Sequence, residues 1–143
     1  MKPSLPLRVA SVLTGLFAAG HTMGGLSSWS PAGETEVLRA MRSFQFDALG
    51  TSRTYLDFYL GFGFILSIYL LTQAVALWQM ASLAKTDASG VRPLIGTFLL
   101  ASVVSAFFSW RYVFLVPVVS FVVIAACLGL AVMSVEIRGE SRE

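Results

Sequence analysis

The sequence predicts an all-α integral membrane protein, a four-helix bundle with a short interfacial helix between spans one and two. Three observations lead there. Apolar residues make up 56% of the chain and charged residues 13%, about half the charged share of a soluble domain. The charges gather in short polar stretches, and the apolar runs between them are long enough to cross a hydrocarbon core. Aromatic residues collect near the ends of those runs, where interfacial anchoring places them. Four spans of about 20 residues each leave no room for a second, soluble domain, so residues 1–143 are expected to form a single transmembrane domain.

The first span is expected over 9–26, after Lys2 and Arg8. Its length gives a rise of about 27 Å, just enough to cross. A basic stretch before an apolar run also fits a signal peptide, with Ala18-Ala19-Gly20 as the cleavage site. Against that reading, His21, Gly24 and Gly25 continue the helical run, and cleavage would leave an odd number of spans.

Residues 27–53 form a polar outer loop, with Trp29 and Pro31 near its start. Within it, Val37, Leu38, Met41, Phe44 and Gln45 fall near one face of a helix from Glu34 to about Phe46, which suits a helix lying in the interface. The second span, 55–83, has Tyr55 and Tyr59 toward one end and Trp78 toward the other. Lys85 to Arg92 is a hydrophilic turn, and Pro93 suits the start of a helix, giving span three over 94–110. After the link Trp110-Arg111-Tyr112, span four covers 113–135, with Pro117 in its first turns. The tail from Glu136 to Glu143 is charged and expected to fray.

Even spans put both termini on one side, together with Lys2, Arg8, Lys85, Arg92, Arg138 and Arg142. Arg39, Arg42, Arg53 and Arg111 fall on the other side. The excess places both termini in the cytoplasm and the 27–53 loop outside.

That topology brings ionisable groups on three helices to a similar depth: His21 on span one, Asp57 on span two and Arg111 at the end of span three. Arg53 lies one turn before Asp57, and the two are expected to pair. Charges inside a membrane are costly unless paired, hydrated or snorkelling, which makes them functional candidates. The structural alternatives are that Asp57 and Arg111 are wet interfacial anchors and that His21 joins neighbouring helices by a hydrogen bond. Gly20 and Gly24 form a GxxxG pair, and Ala101 with Ser105 and Ala125 with Gly129 are small-xxx-small pairs suited to close helix approach. Gly61 and Gly63 serve packing or leave room for a ligand.

Several chemistries are excluded. The single His and single Cys offer no metal-binding cluster and no disulfide, and a bis-histidine haem would need a second chain's His21. No cofactor and no metal is expected. Cys127 reads as a small buried hydrophobe. The basic residues lie at segment ends and form no track for a phosphate backbone, so no nucleic acid is expected as a partner.

The stretches Ala19-Gly20-His21-Thr22 with Gly24-Gly25, Asp57-Phe58-Tyr59 with Gly61-Phe62-Gly63, and Phe107-Phe108 through Tyr112 and Phe114 to Pro117 run through all four spans in order. On these, the chain resembles a group of small bacterial four-helix membrane proteins of uncharacterised activity. The resemblance implies a complete bacterial inner-membrane protein and brings no reaction with it.

Three functions remain open. One is an outer-face polar pocket for a hydrophobic or amphipathic molecule such as a lipid, isoprenoid or quinone. Its lining would be His21, Arg53, Tyr55, Asp57, Tyr59 and Arg111, with Phe58, Phe62, Trp110 and Phe114 as apolar walls. A second is a structural or accessory subunit, with a homo-oligomer or another membrane protein as partner. The third is a proton-transfer enzyme of isomerase type, with His21 and Asp57 as catalytic candidates. The loop discriminates between the first two: as a lid it folds over the outer helix ends, and as a docking element it lies elsewhere.

Overall fold

All four apolar runs are helices. The computed structural model describes residues 2–30 and 32–140, with backbone alone at 136–140. Pro31, expected in the loop, and the last residues of the charged tail, 141–143, lie outside the described residues. The elements in order are α1 (Ser4–Leu26), α2 (Glu36–Ser43), β1 (Gln45–Asp47), β2 (Ser52–Thr54), α3 (Tyr55–Leu83), α4 (Ala88–Tyr112) and α5 (Leu115–Glu140). Helices α1, α3, α4 and the Leu115–Val135 part of α5 are each long and apolar enough to cross a membrane. The protein is an all-α helical bundle and a small multi-pass membrane protein, with one two-stranded ribbon added.

Several boundaries differ from those the sequence suggests, each for a local reason. Helix α1 begins at Ser4, ahead of Val9, and runs unbroken through Ala18-Ala19-Gly20. Helix α4 begins at Ala88, well before Leu94, because Asp87 caps it by accepting from the Gly90 N–H at 2.8 Å. Pro93 therefore sits inside the helix instead of at its start. Trp110, Arg111 and Tyr112 are the last turn of α4, and the break falls at Val113 and Phe114. Pro117 lies in the first turn of α5, where the N–H it lacks would have had no helical partner. At the other end, α5 continues past Val135 to Glu140.

The chain packs as two compact units, Met1–Phe17 with Leu71–Glu143 and Ala18–Leu70. The first holds the main apolar core. Leu7 and Ala10 of α1, Leu77, Met80 and Ala81 of α3, Val91 and Ile95 of α4, and Ile124, Leu128, Ala131 and Val135 of α5 close on one another. Their three- and four-residue spacings put one stripe of each helix inward, and the alanines let backbones approach closely. Cys127 packs against this core. The buried Ser11 hydroxyl donates to the Ala74 carbonyl at 2.7 Å, tying α1 to α3. Phe17 meets Phe121 of α5 edge to face.

The second unit is built around the expected polar loop. Thr35 caps α2 by accepting from the Leu38 N–H at 3.1 Å, and Leu38 is its buried residue. The helix stops at Ser43, so Gln45 belongs to a strand and not to the helical face assigned to it. Strands β1 and β2 pair antiparallel, with Phe46 opposite Arg53. Leu49 (φ +55°) and Gly50 (φ +83°) turn the ribbon, and Ala48 and Thr51 exchange both backbone hydrogen bonds around them. Positive φ at both central positions is the type I′ hairpin geometry.

Candidate functional site

The candidate residues of the second unit sit where the segment after α1 folds back onto α1 and α3. On α1, His21, Gly24 and Gly25 share a face; on α3, Tyr59, Gly63 and Ser67 do so at four-residue spacing. The Trp29 indole fits against both stripes. A Cβ on Gly24 would lie 2.8 Å from indole Cδ1, a Cβ on Gly25 2.8 Å from Cζ2, and a Cβ on Gly63 would fall on Cη2 and Cζ3. Only glycine leaves the ring its seat at these three positions. Gly24 thus receives an indole, not a neighbouring helix as its GxxxG spacing suggests, while Gly20 and Gly61 have nothing within 4 Å of an added Cβ.

Two hydrogen bonds fix the arrangement. Trp29 Nε1 donates to the His21 carbonyl at 2.8 Å. His21 Nδ1 and the buried Ser67 hydroxyl are 3.0 Å apart, joining α1 to α3. Ser67 Oγ is also 3.3 Å from the Gly63 carbonyl. When Ser67 donates there, Nδ1–H of His21 donates to Ser67; with the other tautomer Ser67 donates to Nδ1. The His21 and Trp29 rings lie 5.1 Å apart, and Tyr59 and Phe64 flank the indole at 6.0 and 5.3 Å. The turn that delivers Trp29 is strained: Ser28 and Trp29 are left-handed at φ +54° and +47°.

A second aromatic group lies on the ribbon side of α3. Phe44 stacks on Tyr55 at 5.5 Å, Phe46 meets Tyr55 at 4.9 Å and Phe58 at 5.4 Å, and Phe58 meets Phe62 at 6.0 Å. Tyr55, Phe58 and Phe62 share one face of α3 and remain exposed.

The expected polar convergence is only partly present. Asp57 is committed to a capping box: its Oδ2 accepts from the Thr54 N–H at 2.8 Å, and Thr54 Oγ1 accepts from the Asp57 N–H at 3.1 Å. The carboxylate is exposed and makes no hydrogen bond to His21. The expected Arg53 to Asp57 pair makes no direct salt bridge, and Arg53 acts on the Asp57 carboxylate only through space. Arg53 is a strand residue, not a helical one, and its Nη1 donates to the Ser52 carbonyl at 2.9 Å. Among the described residues the ion pair is instead Arg42 with Glu34, at 3.5 Å. Arg111 belongs to the first unit, where it lies over the Tyr112 ring at 5.0 Å. His21 and Tyr59 are brought together through Trp29, and Tyr55 joins the second aromatic group.

Trp29 and Ser67 are the residues that sequence reasoning passed over. The Tyr59, Gly63, Ser67 spacing carried a signal, because it places a glycine between two polar groups on one helical stripe. Among the described residues, no group of His, Cys, Asp and Glu is placed to hold a metal ion. Comparison with protein-family models, with curated proteins and with solved structures finds no match.

Proposed function

We propose that the second unit binds a hydrophobic or amphipathic small molecule of the lipid, isoprenoid or quinone class. His21 would be its polar contact, with Tyr55, Phe58 and Phe62 as apolar wall. The observation that carries this reading is the path of the loop: it folds back over the ends of α1 and α3 and lays Trp29, Phe44 and Phe46 on them, as a lid would. The polar contact is narrower than the sequence suggests, since Asp57 serves as a cap and Arg53 bonds its own strand. Mass spectrometry of small molecules that copurify in mild detergent tests it, comparing wild type with His21→Ala, Phe58→Leu and Asp57→Asn at matched folding. A specific, non-bulk molecule lost with His21→Ala and Phe58→Leu but kept with Asp57→Asn supports the reading. Bulk lipid unchanged across all four proteins sinks it.

One observation favours a structural or accessory subunit instead: the glycine seat is already filled by the protein's own indole. That reading expects a larger species than the chain alone in gently solubilised native membranes, and no dependence on Phe58. Proton-transfer catalysis would rest on His21 with Ser67, not Asp57, as its partner. The proposal includes the resemblance to small bacterial four-helix proteins, an inner-membrane location and both termini in the cytoplasm. Reporter fusions at each terminus and in the 48–51 turn test that orientation.

A further inference from the structure

In the first unit, Arg8 is a cation for which no acceptor is found among the described residues. It lies in the second turn of α1, and its guanidinium carbon sits 4.9 Å from the centre of the Trp78 ring on α3. Its Nε is shielded from solvent and has no hydrogen-bond partner. Among the described residues no carboxylate reaches it, since the ion pair there is Arg42 with Glu34. The acid of the nearby connection, Asp87, is engaged by Gly90 N–H and the Ser89 hydroxyl. Among the described residues, the Trp78 ring is the contact found for this guanidinium.

Depth and surroundings indicate what completes it. Arg8 is four residues from the start of α1 and Trp78 five from the end of α3. At 1.5 Å per residue these lie about 6 and 7.5 Å along the axis from the helix ends, the end region in which Trp and Arg anchor at the headgroup level. Trp78 is 47% exposed, so the ring that carries Arg8 is on the outer surface of an apolar helix. Exposed Val9 and Val12 on α1 and Val75 on α3 flank it with apolar surface. Lys2 and Lys85, both exposed, stand just beyond these helix ends. The guanidinium carbon lies over the indole and Nε is shielded, so the Nη1 and Nη2 edge is the part left to take two oxygens of one phosphate.

We propose that Arg8 and Trp78 form a binding site for the phosphate of an anionic phospholipid headgroup, with the acyl chains lying along α1 and α3. It is separate from the reading offered for the second unit. The test uses the full chain, stripped of lipid in detergent and given phosphatidylglycerol, phosphatidylcholine or inorganic phosphate, with bound lipid counted by native mass spectrometry. Wild type should retain phosphatidylglycerol about tenfold better than Arg8→Gln, the scale of one charge-assisted contact. Arg8→Lys, which keeps the charge without the fork, should retain it poorly as well, which separates the site from simple attraction and serves if Arg8→Gln does not fold. Arg111→Gln, which removes the guanidinium over Tyr112, should retain it like wild type. Equal retention in wild type and Arg8→Lys, or equal loss in Arg111→Gln, overturns the site. Displacement of the lipid by millimolar inorganic phosphate overturns the assignment to a headgroup.

Discussion

Replacing Gly63 with alanine tests the seat of Trp29 most directly, because the same substitution should change sign with the indole present or absent. In the wild-type protein the new Cβ would fall on Cη2 and Cζ3 of the ring. Overpacking of this kind costs about 1–3 kcal/mol. Glycine to alanine within a helix returns about 1 kcal/mol through backbone entropy. The net is a destabilisation of up to about 2 kcal/mol. In a Trp29→Ala background the ring is gone and only the helical gain remains, so Gly63→Ala should stabilise by up to about 1 kcal/mol. The coupling between the two positions is then about 1–3 kcal/mol, measurable as a double-mutant cycle by unfolding in mixed detergent micelles. Gly61→Ala is the matched control, since nothing lies within 4 Å of its Cβ, and it should be neutral to stabilising in both backgrounds. An unchanged effect of Gly63→Ala on removing Trp29, within about 0.5 kcal/mol, would refute the placement of the indole.

Three further outcomes follow from single hydrogen bonds. Thr54→Ala removes the cap of α3 and should cost about 1 kcal/mol, read as loss of thermal stability; Asp57→Asn keeps an acceptor for the Thr54 N–H and should cost less than Thr54→Ala. His21→Ala and Ser67→Ala each break the 3.0 Å link between α1 and α3, and each should destabilise by about 0.6 kcal/mol, the usual worth of such a bond between membrane helices. The two losses should not add in the double variant. Ser11→Ala removes the 2.7 Å donation to the Ala74 carbonyl and should cost about 1 kcal/mol, with the Ala74 carbonyl stretch moving to higher frequency in isotope-edited infrared spectra.

The spans were legible because a bilayer reads composition over a whole segment. Tyr55 and Leu83 bound α3 in both the sequence reading and the structure, since the polar-to-apolar change is abrupt at each end. The start of α4 was less legible. There the hydrophilic run from Lys85 to Arg92 hides a helix, because a turn and a half of polar residues can be helical once Asp87 supplies a cap. The ribbon was harder still. A type I′ turn is ordinarily announced by Asn-Gly or Asp-Gly, whereas here the pair is Leu49-Gly50, with an aliphatic residue in the left-handed conformation. Asp47 helps hold it by accepting from the Gly50 N–H at 2.6 Å. Asp57 misled for a related reason: a Thr-x-x-Asp capping box at a membrane boundary looks like an intramembrane charge until Thr54 is recognised as its partner.

The site turns on an energy balance that no linear pattern displays. Two successive non-glycine residues in the left-handed region, Ser28 and Trp29, cost about 1–2 kcal/mol apiece. The hydrogen bonds from the Ser27, Ser28 and Trp29 amides to Gly24 and Gly25 carbonyls close the end of α1 and offset part of this. The rest is offset by placing the indole among Gly24, Gly25 and Gly63 with its N–H on the His21 carbonyl. His21 is thereby held at its backbone by Trp29 and at its ring by Ser67, so its orientation is set before anything binds. That rigidity follows from the same residues under either reading of the unit, and it gives the two readings different consequences. If His21 is only a fastener, relaxing it by Trp29→Phe, which keeps a ring but loses the N–H, should lower stability and nothing else. If His21 is the polar contact of a bound molecule, the same change should weaken retention of that molecule in a protein whose folding is restored by added lipid, because the contact would then have to be ordered at the moment of binding.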